Sequence, residues 1–465
     1  MLIPFERCGS IHDKTLDLSW DSKTLADKAR RRAEELKKAN VAAGATVAIV
    51  HGGTAHFFAD LFAVWSCGAA AACLDPALTP SERENVIAFC KPSTVLGENG
   101  QVSQSAHRPT PRDAPSLDDP ALVLFTSGTT GAPKGVVLSF RALLARLALN
   151  QYEIGNAALA RALVTLPTHF GHGLIGNALT PLMAGGDIVL APRGLALAQG
   201  LGSLVDRHAI TFMSSVPSLW HMALRMSPPP KNKSLKRVHV GSAPLSAALW
   251  SRIAEWTGCD VVNCYGITET ANWIGGASSR DQAPADGLIG KPWGGTAGVK
   301  DEHGMIRTQG SGEIVVQTPA LMSGYLDRPD LTAAVLQNGW YATGDLGEVD
   351  ADGNIRLTGR AKDEINRAGF KVQPAEIDML LESHPSVAEA CVFGVPDAVS
   401  GEIVAAAVRL APEAKEDANT LRDWCLKRLR REATPERWFF VDDIPKTSRG
   451  KVSRDTVRNT LIKKS

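Results

Sequence analysis

The chain carries, directly after an apolar run, the segment Leu124-Phe125-Thr126-Ser127-Gly128-Thr129-Thr130-Gly131-Ala132-Pro133-Lys134-Gly135-Val136. The residues Leu122 to Phe125 predict a short buried strand that ends in a loop of hydroxyls and glycines closed by one lysine. Glycine lets the backbone approach a ligand closely, successive N–H groups bind anions, and lysine supplies a point charge for phosphate. The spacing departs from G-x-x-x-x-G-K-[ST], because Pro133 precedes Lys134 and Gly135 follows it. The segment therefore predicts a polyphosphate site, with a plain polar surface loop as the alternative.

The composition is that of an ordinary globular protein. Of 465 residues, 44% are hydrophobic and 21% charged, and the formal net charge is +1. Without a basic stripe, nucleic acid is not expected as a partner. The eight cysteines are scattered without a Cys-x-x-Cys pair, which disfavours a zinc site or a disulfide framework. No secretory signal is visible, and the longest apolar stretch, around Phe57 to Cys73, is too interrupted to span a membrane, so a cytoplasmic location is expected.

Strand and helix patterns alternate along most of the chain, which predicts an α/β fold with mostly parallel sheets. After about Gly287 the texture changes to short alternating strands with frequent Gly and Pro. A helix from Pro374 to Leu381, two strands between Val387 and Leu410 and a helix from Leu421 to Arg430 then predict a small, separate α+β domain.

A second polar cluster follows an apolar strand at Val261-Val262-Asn263-Cys264-Tyr265-Gly266-Ile267-Thr268-Glu269-Thr270. Next to bound phosphates, Glu269 is a candidate Mg²⁺ ligand, because Mg²⁺ prefers one or two carboxylates together with phosphate oxygens. Thr268 is a candidate donor to the α-phosphate. The alternative is an ordinary helix start with Thr268 as its N-cap.

A third cluster lies at Trp340-Tyr341-Ala342-Thr343-Gly344-Asp345-Leu346-Gly347 and at Gly359-Arg360. The turn Ala351-Asp352-Gly353-Asn354 predicts a hairpin that brings Asp345 beside Arg360. Such a pair suits a ribose, with a structural ion pair as the alternative. A fourth segment, Ile444 to Lys451, ends in lysine and on its own is typical of a solvated basic tail.

Together the four segments resemble the acyl-adenylate-forming (AMP-binding) superfamily of acyl-CoA synthetases, peptide-synthetase adenylation domains and beetle luciferases. The resemblance extends from about Leu25 to Lys451. It implies a large N-terminal domain of residues 1–361, with parallel-rich sheets, helices and a small β-barrel-like subdomain. A small mobile α+β C-terminal domain of residues 362–465 would follow, with the hinge at Lys362.

The resemblance also implies a ligand set of ATP, Mg²⁺ and CoA or carrier-protein phosphopantetheine. Lys451, Thr268 and Glu269 would be catalytic, Glu269 would hold the metal, and Gly369 would line the thiol tunnel. The expected ATP- and AMP-binding residues are Thr126, Ser127, Gly128, Thr129, Thr130, Gly131, Lys134, Ser242, Ala243, Pro244, Asn263, Cys264, Tyr265, Gly266, Ile267, Thr268, Asp345, Arg360 and Lys451.

The acid is less well defined than the nucleotide. Gly171 stands where amino-acid-selecting relatives carry aspartate, Cys264 where malonate-activating relatives carry arginine, and Asn366 where luciferases carry lysine. All three alternatives are therefore disfavoured, and a neutral pocket for an apolar aliphatic or aryl acid is expected. Its expected lining is Phe170, His172, Val216, Trp220, Gly241, Ile267 and Trp273.

The resemblance implies an acid–thiol ligase that makes acyl-CoA through acyl-AMP with release of pyrophosphate. A stand-alone enzyme that loads a carrier protein or an amine is the alternative. A catalytically dead nucleotide-binding scaffold is disfavoured, because Lys134, Glu269, Asp345, Arg360 and Lys451 are all retained. A monomer and a homodimer are both open.

Overall fold

The computed structural model describes residues 2–97, 100–104, 114–126, 134–446 and 452–462. Its strands form four sheets in the described residues. The first is parallel from β1 to β13 and antiparallel at both edges. Its strands, in spatial order, are β14 (Asn272–Ser278), β13 (Asp260–Ile267), β12 (Arg237–Gly241), β11 (Phe212–Ser215), β9 (Arg161–Val164), β10 (Asp187–Leu190), β1 (Ile11–Asp13) and β2 (Leu18–Trp20).

The second sheet has a parallel centre and antiparallel edges. Its order is β19 (Gly324–Tyr325), β8 (Lys134–Ser139), β7 (Pro120–Thr126), β4 (Ala70–Cys73), β3 (Thr46–Ile49), β5 (Thr94–Leu96) and β6 (Val102–Gln104). The two parallel-rich sheets confirm the predicted α/β class.

The third sheet is antiparallel and corresponds to the change of texture after Gly287. Its order is β15 (Leu288–Gly290), β22 (Ile355–Arg360), β21 (Trp340–Val349), β18 (Gly310–Gln317), β16 (Thr296–Lys300) and β17 (Ile306–Arg307), with β20 (Leu336–Gln337) paired to β21. The predicted hairpin is present, and Gly353 in its turn has φ +81°. Pairing in the hairpin continues as far as Asp345 and Arg360.

The fourth sheet has its own apolar cores, one on each face. Its order is β24 (Phe370–Val372), β23 (Ile365–Arg367), β26 (Gly401–Leu410) and β25 (Val387–Asp397), with β27 (Arg437–Phe440) parallel to β26. Below, "large part" means the residues up to β22, and "small part" means the residues from β23 onward. The single 3₁₀ turn Ala361–Asp363 joins them.

The helices cover the sheets, and none among the described residues is long and apolar enough to cross a membrane. They are α1 (Ser22–Lys38), α2 (Ala55–Ser66), α3 (Pro80–Cys90), α4 (Phe140–Ile154), α5 (Asn156–Leu159), α6 (Thr180–Met183), α7 (Leu195–His208), α8 (Pro217–Met226), α9 (Ala247–Thr257), α10 (Pro329–Val335), α11 (Pro374–Glu382), α12 (Ala418–Leu426) and α13 (Arg454–Ile462). A π-helix, His172–Leu179, precedes α6.

Local sequence explains several helix starts. Thr79 and Glu82 form a capping box at the start of α3, and Asp417 accepts from the N–H of Thr420 at the start of α12. The predicted helix is present, but its end was predicted wrongly: α12 ends at Leu426 and not at Arg430. All eight cysteines are free, as the scattered spacing predicted.

Candidate active site

Polar segments converge where parallel strands of the two large-part sheets end, the edge at which α/β sheets bind ligands. Gly241 ends β12 and pairs with Cys264 of β13, while Thr126 ends β7 and pairs with Lys134 of β8. Residues 127–133, which carry the predicted Ser127, Gly128, Thr129, Thr130 and Gly131, lie outside the described residues, as does Lys451.

Glu269 lies in a single 3₁₀ turn, Thr268–Thr270, between β13 and β14. The alternative of a helix capped by Thr268 is therefore wrong: Ala271 takes φ +54°, and the chain turns back into a strand. The Glu269 carboxylate accepts from the hydroxyl of Tyr325 at 2.8 Å, and its backbone carbonyl accepts from the N–H of Met322 at 2.8 Å. The turn thus presents a carboxylate from a fixed backbone.

Tyr325 links Glu269 to Lys134, the lysine of the predicted polyphosphate site. The Lys134 ammonium lies 5.4 Å from the centroid of the Tyr325 ring, and the Tyr325 hydroxyl lies 3.2 Å from that of Tyr341. Burial and the Glu269 charge raise the pKa of Tyr325, so the phenol stays protonated and donates. A cation and a carboxylate, 135 positions apart in the sequence (269 − 134), therefore share one tyrosine.

A buried arginine holds the same turn from behind. Arg146 of α4 has no exposed surface, and its Nε donates to the carbonyl of Thr270 at 3.1 Å. Its other nitrogens lie 3.5 Å from the Trp293 carbonyl and the Thr318 hydroxyl. Burial lowers the pKa of Arg146 to about 9. The guanidinium therefore stabilises the turn through neutral oxygen atoms at a cost in desolvation.

Asp345 and Arg360 are direct partners across the β21–β22 hairpin, as predicted. The Arg360 Nε lies 2.7 Å from one Asp345 oxygen, and the Tyr265 hydroxyl donates to the other at 2.5 Å. Asp345 is buried, whereas about half of the Arg360 side chain is exposed, at 48%. The Asp345 charge raises the pKa of Arg360. Burial lowers it by a smaller amount, so the pKa is raised overall. The carboxylate lies between the strand that carries Tyr265 and an exposed cation.

The segment Gly241 to Pro244, which contains the predicted nucleotide-binding residues Ser242, Ala243 and Pro244, follows β12 and begins beside Cys264 of β13. An added Cβ on Gly241 would lie 2.7 Å from the Cys264 carbonyl oxygen, and one on Gly266 only 2.2 Å from that of Asn272. Ser242 takes φ +67°, rare for a residue other than glycine, and its hydroxyl lies 2.7 Å from Nδ1 of His172. Glycines at these positions let the strands approach, and the Ser242 hydroxyl turns towards His172.

His172 lies at the centre of the expected acyl pocket. Its Nε2 is 2.6 Å from the Ser214 hydroxyl. Its ring packs edge-on against the rings of Trp273 and Phe170, with centroid distances of 5.6 and 6.4 Å. The side chains of Phe170, Val216 and Trp273 are all buried. Ile267, at the end of β13, is partly buried.

Trp220 belongs to the same apolar core as Phe170 and Val216. It is fully buried in the core around α7, α8 and α9, donates its indole N–H to Ser215 at 2.8 Å and packs against Trp256. These contacts explain why Trp220 is buried. Its place in an acyl pocket stays a prediction.

The remaining predicted residues flank the small part. Lys362 is exposed in the 3₁₀ turn between β22 and β23. Gly369 forms the β23–β24 turn with Ala368, both with positive φ, and an added Cβ would meet open space. The turn conformation itself favours glycine there, independently of any tunnel.

Several contacts of the site were missed at the level of sequence. They involve Tyr325, Arg146 and Ser214, each far along the chain from its partner. One signal was available: the chain has only four tyrosines, and three of them, Tyr265, Tyr325 and Tyr341, contact the proposed ligand-binding carboxylates or one another.

Comparison with known families is consistent with this geometry. A family profile described as AMP-binding enzyme matches residues 17–112 and 97–326. A second, described as AMP-binding enzyme C-terminal domain, matches residues 376–451. The matches cover most of the large part and most of the small part.

Curated relatives and a solved structure are also similar to this chain over most of its length. The chain is 37% identical over 350 residues to sulfoacetate–CoA ligase of Cupriavidus necator, covering 74% of this chain and 68% of that protein. It is 32% identical over 477 residues to a fatty acid–[acyl-carrier-protein] ligase of Streptomyces coeruleorubidus, covering 94% and 90%. The crystal structure of ATP-bound MatB from Rhodopseudomonas palustris superposes with a TM-score of 0.86 at 26% identity, covering 97% and 96%.

Proposed function

The chain belongs to the AMP-binding enzyme family and is an AMP-forming acid–thiol ligase, and on that premise we propose how its residues divide the reaction. ATP and a carboxylic acid first give acyl-AMP and pyrophosphate, and CoA then displaces AMP. The single observation that carries the assignment of residues is the Lys134–Tyr325–Glu269 contact, which joins the two sequence clusters expected to bind phosphate.

In the first half-reaction a carboxylate oxygen attacks the α-phosphorus of ATP, a new P–O bond forms, and pyrophosphate leaves. Both reactants are anionic, so cations and donors placed in advance lower the barrier. We assign Lys134 and residues 126–131 to the phosphates, Thr268 to the α-phosphate, and Lys451 to the developing charge. Residues 242–244 and 263–267 would contact the adenine, and Asp345 with Arg360 would bind the ribose.

Glu269 suits a magnesium site. It offers one carboxylate on a rigid turn, and its hydrogen bond from Tyr325 leaves further lone pairs available. Among the described residues no group of three or more His, Cys, Asp or Glu forms a denser metal site. One carboxylate with phosphate oxygens is how Mg²⁺ is usually held, and the ion would neutralise charge on the leaving pyrophosphate.

In the second half-reaction the thiolate sulfur attacks the acyl carbon, a thioester forms, and AMP leaves. We place the boundary between residues 361 and 362, with Lys362 as the hinge and Gly369 beside the thiol. CoA is the acceptor that most relatives' names support, while the carrier-protein ligase among them keeps the alternative acceptor open.

The acid pocket we propose is neutral and aromatic. The burial of Phe170, Val216 and Trp273 around His172 supports an apolar aliphatic or aryl acid. The His172 ring contacts the hydroxyls of Ser242 and Ser214. These two contacts fix the orientation of the ring in the wall of the proposed pocket. We place the enzyme in the cytoplasm, as a monomer or a homodimer.

One pair of variants tests the division of labour. Lys451→Ala should reduce acyl-AMP formation by roughly 100-fold or more while sparing thioester formation from synthetic acyl-AMP, since a transition-state contact is removed from one step only. Lys362→Pro should do the reverse, because proline restricts the backbone of the turn. The assay is pyrophosphate release over a panel of carboxylic acids, with and without CoA. Equal loss of both half-reactions in both variants would contradict the proposal.

A further inference from the structure

One histidine of the large part is buried without a hydrogen-bond partner. His239 lies in the middle of β12 and has no exposed surface. Within the part of the chain that the structure describes, neither of its ring nitrogens has a hydrogen-bond partner. Buried polar atoms are nearly always paired, because a polar group that loses water without gaining a partner costs free energy. An imidazole with two unpaired nitrogens inside a sheet therefore needs a functional explanation.

The first sheet places His239 beside the residues of the proposed acyl pocket. His239 and Gly241 are two positions apart on β12, so both positions are on the same face of the sheet. Across the parallel pairing with β11, His239 is the direct partner of Ser214, whose hydroxyl lies 2.6 Å from Nε2 of His172. The His239 ring packs edge-on against Trp273, with the centroids 4.5 Å apart. His239 therefore belongs to the same cluster of rings as His172.

Trp273 adds a second buried polar group of the same kind. Its side chain is buried, and among the described residues its indole N–H has no hydrogen-bond partner either. The π-helix His172–Leu179 packs closely on it, since an added Cβ on Gly176 would lie 2.9 Å from the indole ring. π-helical turns are rare and occur frequently at functional sites. Two polar groups without partners thus lie on neighbouring rings beside a π-helix.

The chemistry of these two rings is neutral. Burial lowers the pKa of His239 well below its usual range, and the charges of Arg237 and His172 act in the same direction. A neutral imidazole offers one N–H donor and one nitrogen acceptor, and the indole offers one further donor. A ligand group that satisfies them has to accept and donate hydrogen bonds without a charge. A hydroxyl group meets this requirement, whereas a carboxylate or a sulfonate is charged and only accepts.

We infer that His239 and Trp273 select an aryl acid that carries a hydroxyl group at the end remote from its carboxylate. The inference rests on the proposed function and narrows its class of acids. Ser242, in the segment assigned to the nucleotide, contacts His172. The His172 ring in turn contacts Trp273, which contacts His239. His239 is therefore at the end of this series of contacts that lies away from the nucleotide, where the remote end of the acid would bind.

The test measures pyrophosphate release with benzoate, phenylacetate and cinnamate, each compared with its 3- and 4-hydroxy derivatives. For the wild type we expect kcat/KM to be at least about 100-fold higher for the best hydroxylated acid than for its parent, because the parent leaves buried polar groups unpaired. His239→Leu should reduce this preference to less than about 3-fold. Trp273→Phe removes only the indole N–H among the polar atoms and should reduce the preference partly.

Phe212→Leu is the matched control for His239→Leu. The Phe212 ring packs edge-on against His239, with the centroids 5.1 Å apart, and its side chain carries no polar atom. The variant therefore alters the packing around the same imidazole without removing a hydrogen-bonding group. We expect it to change kcat/KM for a hydroxylated acid and for its parent by the same factor.

Three results would overturn the inference. They are a wild-type preference for the parent acids, activation of aliphatic acids with none of the aryl acids, and an unchanged preference in His239→Leu or in Trp273→Phe. The second variant gives the answer if the first does not fold. Failure of the proposed pocket appears separately. Phe170→Ala enlarges that pocket beside His172 and should change KM for both members of a pair alike, so an unchanged KM would contradict the pocket itself.

Discussion

The large part contains a fully buried arginine, Arg146, and the small part a mostly buried one, Arg454, and the two are stabilised in opposite ways. Arg146 donates to a carbonyl and approaches two more neutral oxygens, and among the described residues no carboxylate forms an ion pair with it. Arg454 contacts two carboxylates from different elements. Burial lowers the pKa of Arg146 to about 9, whereas the carboxylates raise that of Arg454 against its burial.

The difference matches what each part has to hold. Arg146 stabilises one short turn, Thr268–Thr270, within a single continuous core. Arg454 joins α13 to α11, to β25 and to the turn before β23. Neutral oxygens leave the Arg146 charge uncompensated, but no second charge is exposed to an apolar surrounding when one of these contacts weakens. Carboxylate pairs make a junction that depends strongly on every member.

The largest effect on stability is expected for Arg454→Met. Removing the guanidinium leaves the mostly buried Asp378 carboxylate without its ion-pair partner, which costs about 3–5 kcal/mol. Hydrogen exchange of the peptide that spans 387–397 measures the local opening free energy, because β25 packs against α11 and α13. Arg454→Met combined with Asp378→Asn should recover part of the loss. A double variant no more stable than the single one would show that charge pairing is not the cause.

A second, pH-dependent effect is expected at Glu382, next to the same network. Burial first, and then Asp378, raises the pKa of Glu382 to about 8. Between its ordinary pKa and pH 8 the folded state holds a proton that the unfolded state has lost, so stability falls as pH rises through that window. Glu382→Gln should therefore be more stable than the wild type by roughly 2–4 kcal/mol at pH 9 and equal to it near pH 4.

The measurement for Glu382 is the melting temperature of both proteins across pH 4 to 9. The sign of the difference is diagnostic: the two curves should meet at low pH and separate at high pH. Parallel curves would mean that the pKa of Glu382 is close to its ordinary value. The small part would then not differ from the surroundings of Arg146 in the way that its carboxylates are buried.

The smallest effect on stability is expected for Arg146→Met. The variant loses hydrogen bonds to neutral oxygens but also removes a desolvated charge, so the net loss should be about 1–2 kcal/mol. The rate of adenylation should fall by a larger factor than the small loss of stability would explain, because the turn that carries Glu269 loses its hydrogen bond from Arg146 to Thr270. Arg141→Met is the control, since Arg141 lies on the same helix in an exposed pair with Asp118. A larger loss of stability for Arg146→Met than for Arg454→Met would reverse the comparison.

The sequence predicted the site where its signals are local. Alternation of strands and helices predicted the α/β class, and the Asp-Gly turn predicted the pairing of Asp345 with Arg360, because a hairpin places nearby residues in register. The role of Thr268 at the α-phosphate stays a prediction, and the alternative of a helix cap could not be decided from the local sequence. The chain leaves the turn as a strand because β14 pairs with β13, a tertiary event.

The contacts that complete the site lie beyond local pattern. Tyr325 reaches Glu269 across 56 positions, and His172 reaches Ser242 across 70. Such contacts depend on the order of strands within sheets and on how two sheets meet, neither of which is encoded in a hydrophobic period. Arg146 illustrates the limit, since its helix pattern alone gives no reason to expect a fully buried arginine.

By itself, the sequence determined the chemistry of this protein: a hydroxyl- and glycine-rich segment ending in Lys134, a carboxylate at Glu269, and a carboxylate–arginine hairpin. These depend on residue type and short spacing, which are properties of the chain. The tertiary structure alone decided which groups share a partner, which arginine is paired with acid and which is not, and that cations on both sides of the 447–451 segment are bound to β25 and to the turn at Lys362. The physical reason is that burial and Coulomb attraction act through space, so their strength is set only when distant elements pack together.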